Sequence, residues 1–423
     1  MTDRIERTPS ETRERLLAAL RAELPAACEL RRRLHAEPCV SGQEGPTLKQ
    51  VLDALPAAAA PDPVAGTGAL VRIGSDGPAV GVRGELDALP ITEQTGVPWA
   101  AGNGAMHACG HDVHLAALVA LARAVDRTGG PAPMIAVLQP REETYPSGAL
   151  DIVESGALAG HQVRAMVAAH VQPVLGAGVV ACTPGPVNAC ADEFTLTVRG
   201  SGGHAAYPHL TRDPIPALAQ IIVAAQQLVS RDADPMVGTV VTFGTLEAGT
   251  APNAIPGEAV TRGTLRTMSE SWRAQLHERF HAVAEGVAKA HGCEAEVRIV
   301  RGEPVLVNDA RLAAEATALL GGFGHTVSAP LRSCGADDFA YFAADVPSLM
   351  LFVGTDTTAG LHTPTFLPAD ESVAAVAESL LAAYLAAARI LIEPAGRPGG
   401  LPAGFGVGVT TPVLPRPSRR GRC

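Results

Sequence analysis

The densest group of reactive side chains is the nonapeptide MHACGHDVH, residues 106–114. Cys109 and His111 stand two apart, with His107, Asp112 and His114 around them. Thiolate and imidazole suit zinc, nickel, cobalt and similar divalent ions. Two ligands so spaced on a loop can reach one metal. Taken alone, Cys-Gly-His is a weak signal and is more often structural, but here it directly precedes an apolar helical stretch. A second group is QPREE, 139–143, after the apolar run PMIAVLQ. One carboxylate of the Glu142/Glu143 pair can bind a metal while its neighbour serves as general base for a bound water. An isolated Glu-Glu pair is more commonly an exposed acidic loop. His170 ends AMVAAH, and His362 lies in GLHTP shortly after SLMLFV. Each alone reads as an ordinary polar residue at a strand end. Together, Cys109/His111, Glu142/Glu143, His170 and His362 all fall at or just after the ends of expected strands. In open α/β sheets that edge is where ligands bind. Three further candidates are His204 in GSGGHAAYPH, Asn253 in GTAPNAIPGEA and Arg266 in GTLR. Arg266 could clamp a carboxylate through two parallel hydrogen bonds.

The elements that must position these residues follow from periodicity. Ala79–Glu85, Pro133–Gln139, Ala165–Ala169 and Ser348–Val353 read as buried strands. Residues 10–36, Val113–Arg127, Ser147–Ser155, Ala336–Ala344 and Asp370–Ile392 read as helices. This alternation predicts an α/β fold, a mostly parallel sheet with helices on both faces. The middle of the chain has another rhythm. FTLTV (194–198), a helix Pro214–Ser230, strands Gly238–Glu247 and Glu258–Thr267, a helix Ser269–His291 and a strand Glu294–Val300 give the order β-α-β-β-α-β. That is a ferredoxin-like α+β unit, read as a domain inserted at 187–297 between catalytic segments 10–186 and 298–392. Residues 393–423 hold 6 Pro, 7 Gly and five Arg against one Glu, and are expected to be a disordered tail.

Composition narrows the function classes. The chain has 423 residues, 47% of them apolar, and a net charge of −10. That charge and 4% aromatic content exclude a general nucleic-acid binder. The two lysines, Lys49 and Lys289, lie in no phosphate-binding loop. Eight cysteines without a CxxC pair exclude a disulfide scaffold. The charged N-terminus shows no signal peptide, and no apolar run reads as a membrane span, since the best candidate carries Glu378 and Arg389. No membrane partner and a cytoplasmic location are expected.

As a set these segments resemble the N-acyl-amino-acid amidohydrolases, including hippurate hydrolase, the aminoacylases and the auxin-conjugate hydrolases. These belong to the superfamily of dinuclear metallo-carboxypeptidases and aminoacylases. The matching stretches are RRRLHAEP, RGELDALPITEQTG, MHACGHDVH, QPREE, AAHVQP, GSGGHAAYPH, APNAIPGEA, GTLR, ADDFAYF and GLHTP, in the family's order over about residues 28–370. The resemblance implies a catalytic α/β domain with two divalent ions (Zn, Mn, Co or Ni) and an inserted lid that dimerises or forms a larger homo-oligomer. It implies Cys109, His111, Glu143, His170 and His362 as metal ligands, with Cys109 bridging. It makes Glu142 the general base and acid, and has Asp87 orient a ligand. It has His204 stabilise the oxyanion in the neighbouring subunit's site, and Asn253 and Arg266 hold the substrate carboxylate. The reaction implied is amide cleavage of N-acyl amino acids or short peptides by a metal-bound hydroxide.

The sequence departs from the family pattern at several points. Arg141 replaces a small residue, Thr144–Tyr145–Pro146 a glycine-rich stretch, Glu85 an aspartate, Asp337 a glutamate, and Cys39 an acidic residue. Arg141 and Tyr145 are expected to narrow or polarise the acyl pocket. Two other readings are a relative that binds acyl amino acids without cleaving them, and a thiol hydrolase using Cys109 with His111 as base.

Overall fold

The strand Ala79–Glu85 is buried along its whole length, as a centre strand must be when helices cover both faces. The computed structural model describes residues 8–56, 60–328 and 331–392. The expected tail, 393–423, lies outside them. Eight strands form the larger sheet, in the order Pro61–Val64, Gly68–Ile73, Met134–Gln139, Ala79–Glu85, Val163–Gly176, Ser348–Thr355, Val179–Ala181 and Thr326–Val327. The four central strands run parallel, and antiparallel pairs flank them on both sides. Side chains alternate between two cores. Val80, Val82, Leu138, Val167 and Leu351 pack with the helices Pro9–Ala36, His111–Thr128, Ala310–Phe323 and Glu371–Ile392. Ile135, Val137, Met166, Met350 and Phe352 pack with Gly148–Glu154 and Ala340–Asp345.

A second sheet lies in sequence between the strands Val179–Ala181 and Ser348–Thr355. Its order is Thr239–Ala248, Glu258–Thr267, Cys190–Arg199, Glu294–Arg301, and every pair is antiparallel. The helices Pro214–Ala225 and Glu270–Ala290 pack against it through Leu218, Ile221, Leu276 and Phe280. This is the ferredoxin-like unit expected from the β-α-β-β-α-β order. The strand Glu294–Arg301 continues through position 297, and Gly185–Asn188 runs through position 187, pairing with Leu306–Asn308.

Three elements differ from expectation in ways that matter. The helix expected at Val113 starts at His111, because Gly110 takes the left-handed conformation and turns the chain directly into it. The helix expected at Ala336 starts at Ala340, because Asp337 Oδ1 accepts the Phe339 N–H and both aspartates turn toward Arg83. Contrary to expectation, the helix Glu371–Ile392 is long and apolar enough to cross a membrane. It is nonetheless a core helix. Val373, Val376, Leu380 and Tyr384 are buried, and Glu378 pairs with Arg21 at 2.8 Å and His325 at 2.9 Å.

Candidate metal centre

Gly110 sets the entry to the site. Its φ is +85°, and a Cβ there would lie 2.4 Å from Val171 Cγ2, so only glycine fits. The turn leaves Cys109 on the loop and His111 on the first turn of its helix. His111 Nδ1 lies 2.8 Å from the Asp87 carbonyl oxygen. That oxygen only accepts, so Nδ1 carries the proton and Nε2 keeps its lone pair. His111 Nε2 is buried without a hydrogen-bond partner. His170, on Val163–Gly176, repeats the arrangement. Its Nδ1 donates to Val171 O at 2.7 Å, and its Nε2 lies 3.3 Å from Cys109 Sγ.

The glutamates sit on the loop after Met134–Gln139. Arg141 turns this loop with φ +50°, and its N–H donates to Glu44 Oε1 at 2.9 Å. The Glu143 N–H donates to Asp87 Oδ2 at 3.0 Å, and Ser41 Oγ donates to the same oxygen at 2.6 Å. Asp87 therefore holds both the His111 ring and the Glu143 backbone. His362, at φ +62°, donates its N–H to Ala108 O at 2.9 Å, which ties its loop to the cysteine loop. His362 Nε2 lies 3.4 Å from Glu143 Oε1, although that oxygen makes no aligned hydrogen bond.

Cys109, Glu142, Glu143, His170 and His362 line a cavity of about 320 Å³, shared with Gln172, Asn188 and Asp337. Donor atoms of Cys109, His111 and Glu143 all lie within 4.8 Å of one another. Burial, then the Glu143 and Glu142 charges, push the Cys109 thiol well above its usual range. Burial, then Glu143, Asp337 and Asp338, push the Glu142 carboxyl well up. Burial and His114 push His170 down to about 4. A sulfur, two imidazole lone pairs and a carboxylate oxygen thus face one space with too little positive charge among them. This donor set fits divalent cations.

Behind the glutamates lies a network that sequence reading missed. Arg83 is wholly buried and pairs with Glu85, with Asp337 at 3.2 Å and with Asp338 at 2.9 Å. Its Nε donates to Gln139 Oε1 at 2.9 Å. Gln139 Nε2 and Ser147 Oγ donate to Asp338 at 2.8 Å and 2.6 Å. His114, on the other side, joins Glu85 Oε2 at 3.1 Å and accepts the Val171 N–H at 3.0 Å. An arginine two residues before a glutamate within an otherwise apolar strand was the available signal.

The remaining candidates separate. Arg266 Nη1 donates to Cys334 O at 3.1 Å, on the loop whose Ser333 and Gly335 line the cavity. His204 and Asn253 sit side by side where the short strands Gly203–His204 and Ala254–Ile255 pair on the surface, with the Ala205 N–H donating to Asn253 O at 3.1 Å. Neither lines the cavity. The structure corrects the expectation for Arg141 and Tyr145. The Arg141 guanidinium turns away to Asp151 and Ala65 O, because its left-handed backbone aims the side chain outward. Tyr145 is 56% exposed and stands by Gly302. Neither borders the cavity.

Residues 81–386 match the family model described as peptidase family M20/M25/M40. The chain belongs to that family. With the deacetylases it matches, this makes it a metal-dependent amidohydrolase. The chain is 38% identical over 301 residues to an N-acetyl-L-cysteine deacetylase of Bacillus subtilis, covering 69% of this chain and 70% of that one. It is 32% identical to an N-acetyldiaminopimelate deacetylase of Exiguobacterium sibiricum, covering 82% and 95%. A solved dinuclear metal-binding M20 peptidase from Bacillus subtilis superposes with a TM-score of 0.77 at 30% identity, covering 88% and 99%.

Proposed function

We propose that this chain hydrolyses the amide bond of N-acyl amino acids at a centre of two divalent ions, with Glu142 moving the proton. The carrying observation is the convergence of Cys109, Glu143, His170 and His362 on one cavity, with a His111 donor within 4.8 Å of those of Cys109 and Glu143 and both buried histidines fixed to present Nε2. These five would hold the ions, with Cys109 shared; zinc, manganese, cobalt and nickel all suit the set. When bound, such ions polarise the scissile carbonyl and ease water deprotonation near neutral pH.

Glu142 is placed for the proton transfers. Its Oε2 lies 3.7 Å from His111 Nε2, and its side chain keeps 13% exposure toward the cavity. Its raised proton affinity suits a group that takes a proton from attacking water and returns it to the leaving nitrogen. Arg266, hydrogen-bonded to the loop that lines the cavity, would hold the substrate carboxylate together with an Asn253 brought in beside His204 from a partner. His204 does not line its own cavity, which favours an oxyanion role in a partner's site across a lid-mediated homodimer. The relatives' deacetylation of small acyl amino acids supports the substrate class. The described cysteines are unpaired thiols, which suits a reducing, cytoplasmic setting. The thiol reading lacks support, because Cys109 is pushed up where a nucleophile needs to be lowered.

The test is a panel of N-acetyl, N-benzoyl and N-succinyl amino acids, assayed after chelation and after Mn, Zn, Co or Ni is restored. Activity is expected to vanish and return. Glu142→Ala should lose about 10²- to 10⁴-fold in kcat while keeping its metal. His362→Ala should lower the metal-to-protein ratio. Activity that survives chelation but not alkylation would overturn the reading.

A further inference from the structure

One polar group at the cavity wall has no part in the reaction as described. Asn188 ends the strand Gly185–Asn188 and lines the cavity with Cys109, Glu142, Glu143 and His170. It is only 6% exposed. Its Nδ2 donates to Gly335 O at 3.1 Å. That carbonyl only accepts, so the amide must put nitrogen toward Gly335 and oxygen elsewhere. Oδ1 is buried and has no hydrogen-bond partner among the described residues. The backbone here is latched. The Ala189 N–H donates to Ser333 O at 3.1 Å and to Gly335 O at 3.2 Å, and Asn188 is in register with Leu306. A buried acceptor left unpaired is destabilising. At the wall of a ligand cavity, it calls for a donor on the ligand.

We propose that Asn188 Oδ1 accepts a hydrogen bond from the N–H of the scissile amide, making Asn188 a substrate-positioning and specificity-determining residue. This rests on the amide-hydrolase reading above. At neutral pH the acyl carbonyl and the carboxylate of an N-acyl amino acid offer only acceptors. The scissile N–H is the one donor shared by all N-acyl derivatives of primary amino acids. Its placement matters chemically. As the water oxygen bonds to the carbonyl carbon, the nitrogen becomes pyramidal. Both protons of the water pass in turn through Glu142 to that nitrogen, the C–N bond breaks, and carboxylate and ammonium leave. An N–H held on Asn188 confines the new lone pair to the opposite side, where it can receive the proton.

The test compares each N-acyl amino acid with its ester analogue, in which oxygen replaces the N–H. The metal-loaded wild type, Asn188→Leu and Asn188→Asp are assayed on both, with metal content and thermal unfolding as checks on the fold. Leucine removes the acceptor and should lower kcat/KM for the amide about tenfold more than for the ester. Aspartate keeps an acceptor and should hold the amide-to-ester ratio near the wild-type value. Asn188→Ala gives the same comparison if leucine is not accommodated. Equal losses on amide and ester would show that Asn188 only latches the Gly335 loop, and would overturn the proposal alone. A wild type that turns over neither substrate would overturn the amidohydrolase reading and this inference with it.

Discussion

Arg83 shows why single residues behind the centre matter as much as the donors in it. The guanidinium is fully desolvated and faces Glu85, Asp337 and Asp338, with Gln139 on its Nε. A lone buried charge would be prohibitive, and the carboxylates and amide around it offset that cost. The planar fork serves several acceptors at once, which an ammonium group cannot do. Arg83→Met should therefore strand a group of buried carboxylates and cost about 3–5 kcal/mol of unfolding free energy, read from urea titrations. Wild-type stability in that variant would show that the cluster protonates and needs no counter-charge. Asp87 works at the same scale, because its carbonyl fixes the His111 tautomer while its carboxylate holds the Glu143 N–H.

At the scale of elements, the donors come from different kinds of segment: His111 from a helix start, Cys109, Glu143 and His362 from loops, and His170 from within the strand Val163–Gly176, which runs on past the end expected from AMVAAH. The inserted unit has its own charged brace. Asp192, on Cys190–Arg199, joins Arg273 at 2.9 Å and His277 at 2.6 Å on the helix Glu270–Ala290, and accepts the Gly302 N–H at 3.1 Å. Burial would raise its pKa, but His277 and Arg273 outweigh that and hold it at about 2, below the usual 3.8. A depressed carboxylate stabilises the fold above its unfolded pKa and loses that contribution as pH falls through the folded one. Stability of about 2 kcal/mol should therefore drain away between about pH 4 and pH 2. Trp272 lies on the same helix, so its fluorescence in a Trp99→Phe background reports the transition. Asp192→Asn should be less stable at pH 7 and lack this acid-sensitive step. An unchanged urea midpoint from pH 5 to pH 2.5 in the parent would refute the brace.

For the whole molecule, the decisive question is how many chains build one site. Under the proposed function, Glu142 serves its own cavity and His204 serves a partner's. Glu142→Ala and His204→Ala should each be inactive as pure proteins. Unfolded together and refolded, they should form mixed dimers holding one intact site, restoring roughly a quarter of wild-type activity. No recovery, with mixed dimers demonstrated by differently tagged chains, would place His204 outside the reaction.

The sequence by itself determined the alternation of strands and helices, the ferredoxin-like insertion and the chemistry of MHACGHDVH and QPREE. These are local properties, written in periodicity and residue type. Sequence did not reveal that Arg141 turns outward, that Asp337 and Asp338 precede their helix, or that Arg83 ties them to Gln139. Each depends on partners more than 50 positions away, or on a backbone angle that tertiary contacts impose. Only the folded chain decided which nitrogen of His111 is left unpartnered beside Cys109 and Glu143, and that Asn188 keeps a free acceptor at the cavity wall. Hydrogen bonds between distant segments set both, and residue spacing along the chain carries no record of them.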